Sequence, residues 1–113
     1  MSANSANIII LKTADELKAI LEDNTYVILD FYATWCGPCK MLEPLLDAIV
    51  AKFVDIKVVK IDIEKCLDIA SQYKVQVVPT LVFVKDNAIV KNHVGSITNE
   101  MLEEMIEDNF NIK

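Results

Sequence analysis

Cys36 and Cys39, set in Trp35-Cys36-Gly37-Pro38-Cys39-Lys40, are the side chains of this sequence best placed to do chemistry. Just before them runs Tyr26-Val27-Ile28-Leu29-Asp30-Phe31-Tyr32, an apolar, β-branched and aromatic stretch that reads as a buried strand. Just after them, Lys40 to Phe53 carries apolar residues at helical spacing. The thiols therefore belong to a strand-to-helix turn, with Cys36 at or just before the first helical turn. Unpaired backbone N–H groups and the positive end of the helix dipole favour an anion there. A thiolate is an anion, so Cys36 is expected to have a depressed pKa and to be the nucleophile. On a helical start this spacing also brings the Cα atoms near the separation a disulfide needs, roughly 4.4–6.8 Å. The pair can open and close with little backbone movement.

The elements that must position these thiols follow from the apolar pattern. Ile8-Ile9-Ile10-Leu11 is a short first strand. Thr13 is an N-cap, and Glu16 completes a capping box for a helix through Leu17, Ile20 and Leu21. The second strand ends near Tyr32. The helix after the cysteines puts Met41, Leu42, Leu45, Leu46, Ile49, Val50 and Phe53 on its buried side, with a kink expected at Pro44. Ile56-Lys57-Val58-Val59-Lys60-Ile61-Asp62 is a third strand, and a short helix using Leu67, Ile69, Ala70 and Tyr73 follows. Thr80 to Val84 and Ala88 to Val94 are strands joined by Lys85-Asp86-Asn87 in a tight hairpin. A last helix runs from about Asn99, with Thr98 or Ile97 near its start, to Phe110, burying Leu102, Met105 and Ile106. The order βαβαβαββα favours parallel pairing of the early strands, with the hairpin adding an antiparallel edge. The fold class is α/β, a central mixed five-stranded sheet flanked by four helices on both faces.

Composition sets the outer bounds. A chain of 113 residues, 53% hydrophobic and 25% charged, is expected to be one packed domain over residues 1–113. A net charge of −6, from 17 acidic against 11 basic residues, argues against nucleic acid or an anionic membrane as partner. The segment Met1 to Asn7 has no basic residue and the apolar run after it stops at Lys12, which does not suit a signal peptide. No stretch approaches membrane-spanning length. The expectation is a cytoplasmic protein. Three cysteines are an odd count that does not suit a disulfide-stapled scaffold, so the close pair reads as chemistry.

Two charged residues in strands bear on that chemistry. Asp30 interrupts the most apolar strand, six residues before Cys36. Alternation alone allows it a solvated place, but a strand covered on both faces has no solvent side. If buried, its charged form is disfavoured and its pKa rises, which would suit a group that accepts a proton from a resolving Cys39. Lys60 in the third strand is the nearest candidate cation to balance it, or else a solvated strand lysine. Val78-Pro79-Thr80 opens the fourth strand; trans is the default for such a bond, and composition cannot reveal a cis one.

With these residues in place, the chain resembles the thioredoxin family over nearly its whole length. Trp35-Cys36-Gly37-Pro38-Cys39-Lys40 is similar to that family's active-site sequence. Asp30 falls at its buried aspartate, Lys60 at the paired lysine and Pro44 at the proline of the active-site helix. Pro79 falls at the cis-proline that faces the cysteines, and Val94-Gly95 at the last part of the docking surface. The resemblance implies a thioredoxin fold and a general protein-disulfide reductant, an oxidoreductase and electron carrier. Cys36 would attack a substrate disulfide, and Cys39, deprotonated with help from Asp30, would resolve the mixed disulfide. Trp35, Gly37, Pro38, Val78, Pro79, Val94 and Gly95 would accept an extended substrate segment largely through backbone contacts. The partners implied are a thioredoxin reductase and disulfide-containing proteins such as peroxiredoxins or ribonucleotide reductase. No bound cofactor is expected, and the protein is expected to act as a monomer.

The sequence departs from the family at several points. The hairpin turn is Asp86-Asn87 in place of a glycine-containing pair, and Asn87 must take a positive φ with some strain. Tyr32 stands where many bacterial members have tryptophan. Cys66 has Tyr73 where some animal members carry a second cysteine, so it reads as an inert buried thiol or, if exposed, as a site of intermolecular disulfide formation. Two other readings remain. Cys36, Cys39, Cys66 and His93 are four possible zinc ligands, although no second close pair matches the first. A docking module with the same fold and no thiol exchange is the other.

Overall fold

Each strand and helix expected from the apolar pattern forms close to its expected place. The computed structural model describes residues 5–112. After a 3-10 turn at Ser5–Asn7 come β1 (Ile8–Ile10), α1 (Ala14–Asp23), β2 (Tyr26–Tyr32) and α2 (Gly37–Lys52). Then follow β3 (Ile56–Asp62), α3 (Leu67–Gln72), β4 (Thr80–Lys85), β5 (Ala88–Val94) and α4 (Asn99–Phe110). The strands form one mixed sheet in the order β1-β3-β2-β4-β5. Strands β1 and β2 run parallel to β3, β4 runs antiparallel to β2, and β5 antiparallel to β4.

Local chemistry starts and stops these elements. Thr13 caps α1, its Oγ1 accepting the Glu16 N–H at 3.1 Å. The Glu16 carboxylate reaches back to the Lys12 N–H at 2.9 Å, one residue before the donor a capping box ordinarily uses. For α4 the cap is Thr98, which accepts the Met101 N–H at 3.1 Å. That helix ends on Asn111 in the left-handed region, φ 60°. Helix α2 continues past Pro44, which removes one internal donor. The β4–β5 turn is the expected Asp86-Asn87 pair: Lys85 still belongs to β4 and pairs with Ala88, and only Asp86 (φ 51°) and Asn87 (φ 64°) span it. Both take the positive φ that a two-residue turn of this kind requires.

Strand alternation divides the core into two layers. Val27, Leu29 and Phe31 of β2, with Val59 and Ile61 of β3, point to one face and pack under α1 and α3 through Leu17, Ile20, Ile69 and Ala70. Ile28 of β2, Val58 of β3 and Leu81 and Phe83 of β4 point to the other, under Leu42, Leu46 and Ile49 of α2 and Leu102, Ile106 and Phe110 of α4. Burial of side chains of this size contributes about 1.5–3 kcal/mol each.

Three apolar residues lie outside their expected places. Leu11 is past the end of β1, although it is buried and its N–H still bonds the Lys60 carbonyl at 2.9 Å. Met41 is 76% exposed, because the buried stripe of α2 runs through Leu42, Leu46, Ile49 and Val50 and leaves it one ridge outside. Leu67 is 70% exposed: it opens a helix of only 6 residues whose inner side is Ile69 and Ala70.

Candidate active site

The cysteines sit where the parallel strand β2 hands the chain to α2. Cys36 is the N-cap of α2, with extended backbone (φ −89°, ψ 111°), and its Sγ accepts the Cys39 N–H at 3.2 Å. An N-cap acceptor is ordinarily an oxygen of Ser, Thr, Asp or Asn. Here the sulfur takes that place, so the backbone donor and the helix dipole both act on the Cys36 sulfur. Cys36 and Cys39 form a disulfide with Cα atoms 5.3 Å apart, inside the range their spacing predicts. Both are nearly buried, packed with Ala33, Tyr32, Ile63 and Val78. Gly37 has open space around it, and Pro38 is in the first turn of the helix.

Asp30 follows from the same alternation that sorts the core. It shares the parity of Ile28, so its carboxyl points to the α2 side of the sheet, flanked in register by Lys60 of β3 and Leu81 of β4. It is 1% exposed, and neither carboxyl oxygen has a hydrogen-bond partner among the described residues. Burial pushes its pKa up to about 7; the Lys60 charge opposes this, and the Glu43 charge adds to it. A carboxyl in that range can take up and release a proton near neutral pH.

Lys60 is not the direct ion-pair partner of Asp30. Its ammonium lies 2.7 Å from the Glu43 carboxylate on α2 and 4.9 Å from the centre of the Tyr32 ring. It reaches Asp30 through its field alone. Glu43 escaped the sequence reading, although the signal was present: it lies four residues after Cys39, one helical turn further along the same face. Glu64 was likewise missed. Its carboxylate accepts the Trp35 indole N–H at 3.1 Å and holds a ring that is 67% exposed beside the cysteines.

The remaining residues expected at the site converge from β4 and β5. The Val78–Pro79 bond is cis, Val78 packs against the cysteines, and the Pro79 carbonyl accepts the Gly95 N–H at 2.8 Å. Gly95 has φ 94°, a conformation that favours glycine. Pro38, Met41, Leu45, Pro79, Gly95 and Ile97 are among the residues lining a mainly apolar groove of about 250 Å³. Val94, next to Gly95, is 58% exposed. Met41 thus serves the groove and not the core.

The four possible zinc ligands do not come together. Cys66 belongs to the core layer under α1 and α3, and His93 on β5 lies 3.0 Å from the Ser96 carbonyl oxygen. Among the described residues no three His, Cys, Asp or Glu side chains form a metal-holding group. Burial pushes the Cys66 thiol pKa up, with the Asp68 and Asp62 charges adding to it, which keeps the thiol protonated.

A buried disulfide at a helix start, a buried acid on the same side of the sheet as that helix and a groove beside the helix start define a thiol–disulfide exchange site on an α/β scaffold. Comparison with known proteins gives the family. The thioredoxin family model matches residues 8–108. The chain is 37% identical to thioredoxin of Bacillus subtilis, over 86% of this chain and 94% of that protein. It is 35% identical to thioredoxin of Mycoplasmoides gallisepticum, over 81% and 92%. A solved mutant thioredoxin from Halobacterium salinarum superimposes with a TM-score of 0.87 at 36% identity, covering 100% of this chain and 99% of that one. The oxidized form of mitochondrial thioredoxin 3 from Saccharomyces cerevisiae gives 0.84 at 34% identity, covering 94% and 99%. The chain belongs to the thioredoxin family of disulfide oxidoreductases, and its fold and redox-active cysteine pair are those of that family.

Proposed function

We propose that this chain is a general protein-disulfide reductant in which Cys36 attacks, Cys39 resolves and Asp30 moves the proton. The observation that carries the reading is the Cys36 sulfur at the N-cap of α2, accepting the Cys39 N–H, with the buried Asp30 carboxyl on the α2 side of the sheet. In the reduced protein the Cys36 thiolate attacks one sulfur of a substrate disulfide. A Cys36–substrate disulfide forms, and the other substrate sulfur leaves with the electron pair and takes a proton. Cys39 then gives its proton to the Asp30 carboxylate and attacks the Cys36 sulfur. The Cys36–Cys39 bond forms, the bond to substrate breaks, and the released substrate thiolate is protonated. The substrate gains two electrons and the cysteine pair loses two.

The groove along Pro38, Pro79 and Gly95, with exposed Trp35 and Val94 and half-buried Val78 around it, suits an extended substrate segment held by backbone contacts. A broad substrate range follows, because such contacts do not read side chains. A thioredoxin reductase would restore the dithiol. Peroxiredoxins and ribonucleotide reductase are candidate substrates; one similar solved structure concerns yeast mitochondrial 1-Cys peroxiredoxin and the glutathione/thioredoxin systems. No helix among the described residues is long and apolar enough to cross a membrane. We further propose that it acts in the cytoplasm as a monomer, with residues 1–113 forming one domain.

The test is reduction of insulin disulfides by dithiothreitol, followed by coupling to NADPH through a thioredoxin reductase. Cys36→Ser is expected to bring catalysis to the uncatalysed background. Cys39→Ser is expected to trap the mixed disulfide, and Asp30→Asn to slow resolution while sparing the first attack. Full biological function in a Cys36→Ser, Cys39→Ser double variant would overturn the reading in favour of a docking module.

A further inference from the structure

The Glu43–Lys60 pair forms a wall between two cavities on the α2 side of the sheet. One, of about 280 Å³, is lined by Cys39, Tyr32, Thr34 and Lys40 together with Glu43 and Lys60. The other, of about 200 Å³, is lined by Ile8, Leu46 and Asp47 with the same two charges. The Lys60 side chain is only 15% exposed, whereas that of Glu43 is 52% exposed. Glu43 is therefore the solvent-side anchor of an ammonium otherwise held between sheet and helix.

We propose that Glu43 is a positioning residue for the resolving step: by gripping the Lys60 ammonium at the rim of the cavity beside Cys39, it sets how strongly that charge acts on Asp30. The proposal rests on Asp30 being the group that takes the Cys39 proton. Lys60 is the register partner of Asp30 in the parallel β2–β3 ladder, so the two begin from adjacent strands on one face. Yet Asp30 has no hydrogen bond from Lys60 or from any other described residue, and the ammonium is drawn to α2 instead.

The other groups around the pair do not replace this control. Asp47 and Lys40 come from α2 and line one cavity each. Tyr32 of β2 offers its ring face to the ammonium, and Asp62 of β3 is in register with Tyr32. From β4 Asp30 meets Leu81, and from β1 the second cavity meets Ile8; both are apolar. Only Glu43 touches the Lys60 ammonium as an ion pair among the described residues.

Loss of the Glu43 charge acts on Asp30 twice in the same direction. It removes a negative charge that disfavours the Asp30 carboxylate, and it frees Lys60 to lean toward that carboxylate. Both make Asp30 give up its proton at lower pH. In the reduced protein, Glu43→Gln is expected to lower the Asp30 titration midpoint, read by carbon NMR of its carboxyl, by about half a pH unit, a threefold change in ionisation. Glu43→Lys is expected to lower it further. The pH profile of the resolving step, read as the second thiol release from a chromogenic aryl disulfide, is expected to move with it. A graded shift with charge is something a merely structural role would not produce, and Glu43 is exposed enough for both variants to fold.

The arms separate the two claims. An unchanged Asp30 midpoint in both Glu43 variants overturns the role of Glu43. If Asp30→Asn flattens the profile while the Glu43 variants leave its midpoint in place, Glu43 alone falls. If Asp30→Asn leaves the profile unchanged, the reading of Asp30 fails and the role of Glu43 in resolution fails with it.

Discussion

The two faces of the sheet are made from alternate residues of the same strands, and they differ most at one end. On the α1/α3 face, Val27, Leu29, Phe31, Val59 and Ile61 form an apolar layer in which Cys66 packs as a small hydrophobe. On the α2/α4 face, Ile28 and Val58 begin a similar layer, but the next residues of that parity are Asp30 and Lys60. The change comes at the end of the strands nearest the cysteines. Stability contributed by one face lets the other hold a buried acid whose pKa is far from its ordinary value. Burial alone does not decide what a cysteine does: Cys36 and Cys66 are each 5% exposed and each precede a helix. Cys36 accepts a helix N–H and has a partner thiol, whereas Cys66 makes no side-chain cap bond and has acids nearby.

This contrast can be broken by substitution on either face. The largest effect is expected from Phe31→Ala, which removes a fully buried ring that packs 5.5 Å from Tyr73. Denaturant unfolding should show a loss of about 3–5 kcal/mol. Activity under conditions where the variant remains folded should be largely kept; a comparable loss of exchange rate in the folded protein would blur the division of labour.

Asp30→Asn should act in the opposite sense. In the folded protein Asp30 keeps its proton up to about pH 7. An unfolded chain releases that proton near the ordinary carboxylate value of about 4. Between those values the folded state binds a proton that the unfolded state does not, so stability falls as pH rises through the window and levels off above it. Asn carries no such penalty. The variant is expected to exceed the parent by up to about 4 kcal/mol above pH 7, with the advantage fading toward pH 4. A gain independent of pH would show that charge burial is not its source.

Cys66→Ala should have the smallest effect. It trims one sulfur from the apolar layer, for a loss of about 1 kcal/mol with insulin reduction unchanged. A marked loss of exchange activity would place Cys66 in the chemistry and remove the distinction between the two thiol environments.

Much of this arrangement is legible in the order of the amino acids. The strand before the cysteines, the helix after them and the N-cap position of Cys36 rest on local pattern, and the structure reproduces them. Thr13 and the antiparallel β4–β5 hairpin are legible for the same reason. Met41 and Leu67 are misplaced by pattern because a hydrophobic side chain near a helix start satisfies helical spacing whether or not another element covers it. Asp30 is ambiguous in sequence, since alternation names a face without saying what packs on it.

The sequence by itself determined where the thiols stand, which helix start acts on them, and which parity of β2 and β3 residues shares a face. Those are consequences of spacing within one element, where geometry repeats every two or every 3.6 residues. Tertiary structure decided the rest. It paired Lys60 with Glu43 in place of Asp30, set Glu64 on Trp35, joined Pro79 to Gly95 across β4 and β5, and left Asp30 buried without a hydrogen-bond donor among the described residues. Each depends on the register of at least two elements, and a few ångströms of sliding would choose a different partner for the same charge.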